Sequence, residues 1–130
     1  MSRTVPPAKP AVLVVEDEAL VRLNAVDIVE AAGFTVASAS NADDAIHILE
    51  MRDDIRAVFT DVQMPGSMDG LGLMRLIKDR WPAIATLVTS GKKMVTQSAL
   101  PRGARFIAKP YLQAQIETAL RELIAGSASA

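Results

Sequence analysis

Apolar and polar positions follow two different periods along this chain. Residues 11–15, A-V-L-V-V, form an unbroken apolar run bounded by Pro10 and Glu16, which predicts a strand buried on both faces. Leu20, Leu23, Val26 or Asp27, Val29 and Ala31 then return at helical spacing, and Gly33 predicts the end of that helix. A second strand, short and partly β-branched, is predicted over 34–39. Asn41 followed three residues later by Asp44 is an acidic variant of a helix-start signature, with Ala45, Ile48 and Leu49 on the inward face. Residues 57–60 read as a third strand. Gly70 precedes a third helix with Leu73, Leu76 and Ile77 inward. Trp81-Pro82 closes that helix, because a residue before proline disfavours helical geometry. Residues 84–89 predict a fourth strand and 105–108 a fifth. The stretch between them is the least regular, and only 96–100 offers a helical turn before Pro101 and Gly103. Residues 112–123 predict the last helix, with Ile116, Ala119, Leu120 and Leu123 on one face.

The order is strand then helix, five times over, with a short or irregular fourth helix. Uninterrupted apolar strands need helices on both faces of a parallel sheet. Right-handed crossovers then reduce the topologies to an open, doubly wound α/β fold. The expectation is a five-stranded parallel sheet in flavodoxin-like order, built as one domain over 11–124. Residues 1–10, with Pro6, Pro7 and Pro10, read as a flexible tail, and the small residues of 125–130 as a second one.

Composition removes several functions. A length of 130 residues suits one domain with one core. The 14 basic and 15 acidic residues nearly cancel, so no direct nucleic-acid or membrane partner is expected. With no cysteine, disulfides, thiol catalysis and thiolate metal sites are excluded. The single histidine, His47, lies off the apolar face of its helix and reads as an exposed residue. No apolar run approaches the ~20 residues of a membrane span. The first ten residues lack the apolar stretch of a secretory signal, so a cytoplasmic location is the simplest expectation.

The candidate chemistry lies where strands end, since open parallel sheets bind ligands beyond the carboxyl ends of their strands. The first strand ends in Glu16-Asp17, the third in Asp61, the fourth in Thr89-Ser90, and the fifth runs into Lys109-Pro110. Clustered carboxylates raise one another's pKa unless a cation compensates them. Magnesium takes oxygen ligands and suits this set, whereas zinc would want nitrogen or sulfur. The Lys109 ammonium can pair with a carboxylate or with a phosphoryl oxygen carried on one, and the Thr89 hydroxyl can donate to another phosphoryl oxygen. These parts fit phosphoryl transfer to an aspartate, which would form an acyl phosphate.

Four stretches occur in order: V-L-V-V-E-D-E at 12–18, F-T-D-V-Q-M-P-G-S-M-D-G at 59–70, L-V-T-S-G at 87–91 and G-A-R-F-I-A-K-P at 103–110. Together they resemble the receiver domain of two-component response regulators, over roughly residues 11–123. The resemblance implies Asp61 as phosphoacceptor, Asp17 as a Mg2+-ligating carboxylate, and Glu16 as the second acid, acting through water. It implies the backbone carbonyl of Gln63 as a further metal ligand, Thr89 as the switching hydroxyl and Lys109 as the phosphoryl-binding lysine. Phe106 takes the place of the aromatic rotamer switch, and Lys109-Pro110 that of a cis peptide that aims the lysine.

The same resemblance implies transfer from a histidine kinase or histidine phosphotransfer protein, catalysed by the receiver itself, with later loss of the group by hydrolysis. Thr89 and Phe106 would shift a surface of the fourth helix, fifth strand and last helix between two states. Output would reach a downstream protein, act through competition for phosphoryl groups, or pass through a homodimer on that face. Such a chain is not an enzyme acting on free metabolites. The T-S-G-K stretch and the K-P-Y ending resemble a subgroup of stand-alone bacterial receivers, and with so irregular a fourth helix the expected switch is an ordering of this loop rather than a shift of a full helix. The 89–109 stretch is shorter than usual, and the loop at 65–69 is one residue longer. Gln63 and Gly91 occupy the two positions that usually tune hydrolysis in the family. Two alternatives stand beside this reading: a non-phosphorylated receiver-fold interaction module, and a flavin carrier. The second lacks a glycine-rich loop after the first strand, where acids would repel a cofactor phosphate. Met64, Met68 and Met74 read as packing residues, and Tyr111 is placed between core and output surface.

Overall fold

The structure is a computed structural model that describes residues 9–128 apart from 67, 93, 94, 97 and 99, with backbone alone at 127 and 128. Strands β1 (Ala11–Val15), β2 (Thr35–Ala39), β3 (Ile55–Asp61), β4 (Ala85–Ser90) and β5 (Ala104–Ala108) alternate with helices α1 (Ala19–Ala31), α2 (Ala42–Met51), α3 (Gly70–Arg80) and, after β5, α4 (Gln113–Ala128). The strands form one parallel sheet in the order β2-β1-β3-β4-β5. This is the doubly wound fold that the pattern predicts. Between β4 and β5 the described residues hold only a 3-10 turn at Ser98, so the closing helix is the fourth rather than the fifth. Pro101 and Gly103, the latter at a positive φ, close that segment just before β5.

Alternation along β1 sets the two layers. Val12 and Val14 face α1 and α4, where Val29, Ile116 and Leu120 are fully buried. Ala11, Leu13 and Val15 face α2 and α3, against Leu49, Leu73 and Ile77. Each buried valine or leucine of this kind contributes about 1.5–3 kcal/mol relative to exposure. A third cluster (Val62, Leu71, Met74, Val88 and Ala104) sits beside the site, with Phe106, Val95 and Leu100 packed on it.

Local signals act at the helix ends, as expected for Asn41 and Gly33, with Asp69 a cap not singled out in the sequence. Asn41 Oδ1 accepts the Asp44 amide at 2.8 Å, Asp69 Oδ1 accepts that of Gly72 at 2.9 Å, and Gly33 takes a positive φ. Three expectations need correction. In α1 the stripe through Ala25 and Val29 is buried, while Leu20 and Leu23 are 81% and 59% exposed. The helix carries two apolar stripes at helical spacing, and the small Ala25 lets the sheet take the first. β3 begins at Ile55, two residues before the predicted start, because the pairing with β1 skips the exposed Arg56. The last helix continues past 123 to Ala128, into the segment expected as a tail, while 1–8 and 129–130 lie outside the described residues. Among the described residues, no helix is long and apolar enough to cross a membrane.

Candidate functional site

Strand register levels the chemical groups at one edge of the sheet. Val15 pairs with Thr60, so Glu16 and Asp61 follow at the same height on β1 and β3. Asp61 pairs with Thr89 on β4. Ser90 pairs with Ala108 on β5, which puts Lys109 next in line. Four separate parts of the sequence thereby reach one cleft of about 610 Å³, lined by Asp17, Asp61, Gln63, Gly91, Lys92 and Lys109 among others.

Carboxylate oxygens of Glu16, Asp17 and Asp61 lie within 4.8 Å of one another. Asp17 is exposed, whereas Glu16 and Asp61 are buried. Lys109 Nζ reaches both buried acids, donating to Asp61 Oδ2 at 3.3 Å and Glu16 Oε1 at 3.4 Å. Burial alone would lower the Lys109 pKa, but the charges of Asp61 and Glu16 outweigh it and hold the ammonium above its ordinary value. Burial pushes the Glu16 carboxyl up, and Asp17 and Asp61 add to the rise. The Glu18 amide, donating to Glu16 Oε2 at 3.1 Å, and Lys109 oppose it.

Among the described residues, Asp61 Oδ1 and Thr89 Oγ1 are buried side-chain oxygens with no hydrogen-bond partner. An orphaned carboxylate oxygen among three acids, with no histidine or cysteine grouped with them among the described residues, fits a hard divalent cation. Of the residues singled out in the sequence, Glu16, Asp17, Asp61, Thr89, Gln63 and Lys109 converge, and the Lys109-Pro110 peptide is cis. Phe106 stands apart, half-buried on the third cluster. Tyr111 is half-buried and packs its ring edge-on against Phe59 at 5.7 Å between centroids, on the face of α1 and α4. His47 is exposed, and Met64 and Met68 pack against the α2/α3 layer while Met74 is in the third cluster.

Several contributors were not singled out by sequence reasoning. Arg22 of α1 donates to the Glu16 backbone carbonyl at 2.8 Å and steadies the turn that carries the acids. Gly70 is pressed against the Asp61 backbone: a Cβ there would overlap the Asp61 carbonyl oxygen, and the Gly70 amide donates to Val62 O at 2.8 Å. A glycine at the first position of a helix, where the side chain usually favours something else, was the available signal. Ser90 Oγ donates to Gln63 Oε1 at 2.7 Å, and no local pattern announces that bond.

The sequence model described as "Response regulator receiver domain" matches residues 12–121. The chain belongs to that family. Among curated relatives it is 33% identical over 117 residues to the sensor kinase CckA of Brucella abortus, covering 87% of this chain and 12% of that protein. It is 32% identical over 117 residues to the chemotaxis protein CheY of Thermotoga maritima, covering 86% of this chain and 95% of that one. The chain spans only 12%, 22% and 23% of the length of three of the other relatives, the sensor kinase and two regulators. Among solved structures, a response regulator receiver protein from Sinorhizobium medicae superposes with a TM-score of 0.84 at 25% identity, covering 92% of this chain and 97% of that one. The acidic cluster and the Lys109 ion pairs are consistent with a receiver's phosphoacceptor site.

Proposed function

We propose that residues 11–124 form a cytoplasmic receiver domain that takes a phosphoryl group onto Asp61 from a histidine kinase or histidine phosphotransfer protein. The observation that carries this reading is Lys109 bridging Asp61 and Glu16 at the mouth of an open cleft, beside a third carboxylate. In the transfer the phosphorus–nitrogen bond of a phosphohistidine breaks, the imidazole keeps the electron pair, and a bond forms from an Asp61 oxygen to phosphorus. Asp17, Asp61 and the Gln63 carbonyl would hold Mg2+, with Glu16 acting through water. When bound, the metal supplies charge neutralisation for the incoming phosphoryl oxygens. Lys109 donates to one of those oxygens, and Thr89, whose hydroxyl has no other partner among the described residues, turns to another. Phe106, half-buried, can follow Thr89 inward.

Phosphorylation then alters a protein-interaction surface of the 91–103 segment, β5 and α4, read by a downstream protein or by a second copy of the chain. The likeness to a protein named a sensor kinase supports a histidine kinase as the donor class. Intact-mass analysis after incubation with acetyl phosphate tests the chemistry. A gain of one phosphoryl mass that requires magnesium and disappears in Asp61→Asn is expected. No gain from acetyl phosphate, and no binding of a beryllium fluoride complex by the folded chain, would favour the non-phosphorylated interaction module instead.

A further inference from the structure

Ser90 is the last residue of β4, almost fully buried, and it ties three parts of the cleft together. Its hydroxyl donates to Gln63 Oε1 at 2.7 Å and accepts the Lys92 amide at 3.2 Å, while its carbonyl accepts the Lys109 amide at 3.0 Å. The Gln63 side chain is otherwise exposed and sits two residues after Asp61, on the lining of the cleft. A buried hydroxyl on a rigid strand thus fixes a side chain that would move freely in solvent.

Hydrolysis of an acyl phosphate on Asp61 needs water in line with the bond that breaks, opposite the Asp61 oxygen. Asp61 is buried and lines the open cleft, so water reaches it from the cleft side. Gly91 and Lys92 line that opening together with Gln63, and Gly91 has no side chain to obstruct it. We propose that Ser90 is a positioning residue: its hydroxyl holds the Gln63 carboxamide across the water's approach and so lengthens the life of the phosphoryl group. The step it slows forms a bond from water oxygen to phosphorus, breaks the bond from phosphorus to Asp61, and releases inorganic phosphate and a proton. This inference rests on the phosphoacceptor reading above.

The test follows loss of phosphoryl mass with time, after acetyl phosphate is removed, in the wild type, Ser90→Ala, Gln63→Ala and the double variant. Losing one hydrogen bond predicts hydrolysis roughly two- to tenfold faster in Ser90→Ala. Gln63→Ala should match it, and the double variant should add nothing further. Thermal unfolding of the unphosphorylated proteins separates a general loosening of the fold, which would lower Tm without this non-additivity. An unchanged lifetime in Ser90→Ala, or additive effects in the double variant, overturns the inference alone. A wild-type chain that never takes up the group overturns the phosphoacceptor reading, and this inference falls with it.

Discussion

Thr89 and Asp61 stand opposite each other across β3 and β4, each with a buried oxygen that no other group among the described residues satisfies. Left unpaired, such atoms cost about 1–3 kcal/mol apiece, and they are the atoms a phosphoryl group or cation would engage. Thr89→Val keeps the shape of the side chain and deletes the hydroxyl. The unphosphorylated variant should therefore unfold at an unchanged or higher urea concentration, with a gain of up to about 1 kcal/mol. A loss of more than about 1 kcal/mol would mean that the hydroxyl is satisfied in solution and is not held in reserve. Lys109 shows the complementary case. Burial lowers its pKa, and the two buried carboxylates that face it outweigh that and hold the ammonium above its ordinary value. The identities of Asp61, Thr89 and Lys109 were legible in the sequence because each sits where an apolar run stops. The pairing of one lysine with two acids was not, since it depends on distances between strands far apart in the chain.

Helices reach their places by two kinds of rule, and only one is local. Asn41 and Asp69 cap their helices through bonds spanning three residues, which a linear pattern contains. The start of α3 is different. Gly70 is there because the helix abuts the Asp61–Val62 backbone, and this closeness holds the strand end that bears the site. Two glycine substitutions separate the rules. Gly126→Ala in α4 meets nothing within 4 Å and should stabilise by up to about 1 kcal/mol. Gly70→Ala should instead destabilise by about 1–3 kcal/mol, as overpacking does. Chemical unfolding of both variants checks this, and a neutral Gly70→Ala would show that the Asp61 backbone yields at little cost. The face chosen by α1 belongs to the same non-local class. Leu20 and Leu23 have the right spacing for burial, yet the sheet takes Ala25 and Val29.

At the scale of the whole molecule, the site exists only when the sheet does. Glu16 and Asp17 follow β1, Asp61 ends β3, and Lys109 follows β5, so unfolding disperses the acids and the lysine together. Any ligand of this cluster must then stabilise the fold by mass action. Magnesium at about a hundred times its dissociation constant should add roughly 2.7 kcal/mol and raise Tm by several degrees. Chelation or Asp17→Asn should abolish the rise. A Tm indifferent to magnesium in the wild type would remove the metal from the proposal.

The sequence by itself determined what depends on neighbours along the chain. It set the order of strands and helices, the stops at Gly33 and Trp81-Pro82, the short or irregular helix region before β5, and the residues placed at each strand end. Hydrophobic period and backbone preference act over a few residues, so they can be read in one dimension. Only the tertiary structure decided which stripe of α1 is buried, that the β1–β3 register skips Arg56, and that Gly70 must touch the Asp61 backbone. It alone joined Ser90 to Gln63 across 27 positions and Lys109 to Glu16 across 93. Those contacts come from the stacking of parallel strands, where proximity is set by sheet order and register and no longer by distance along the chain.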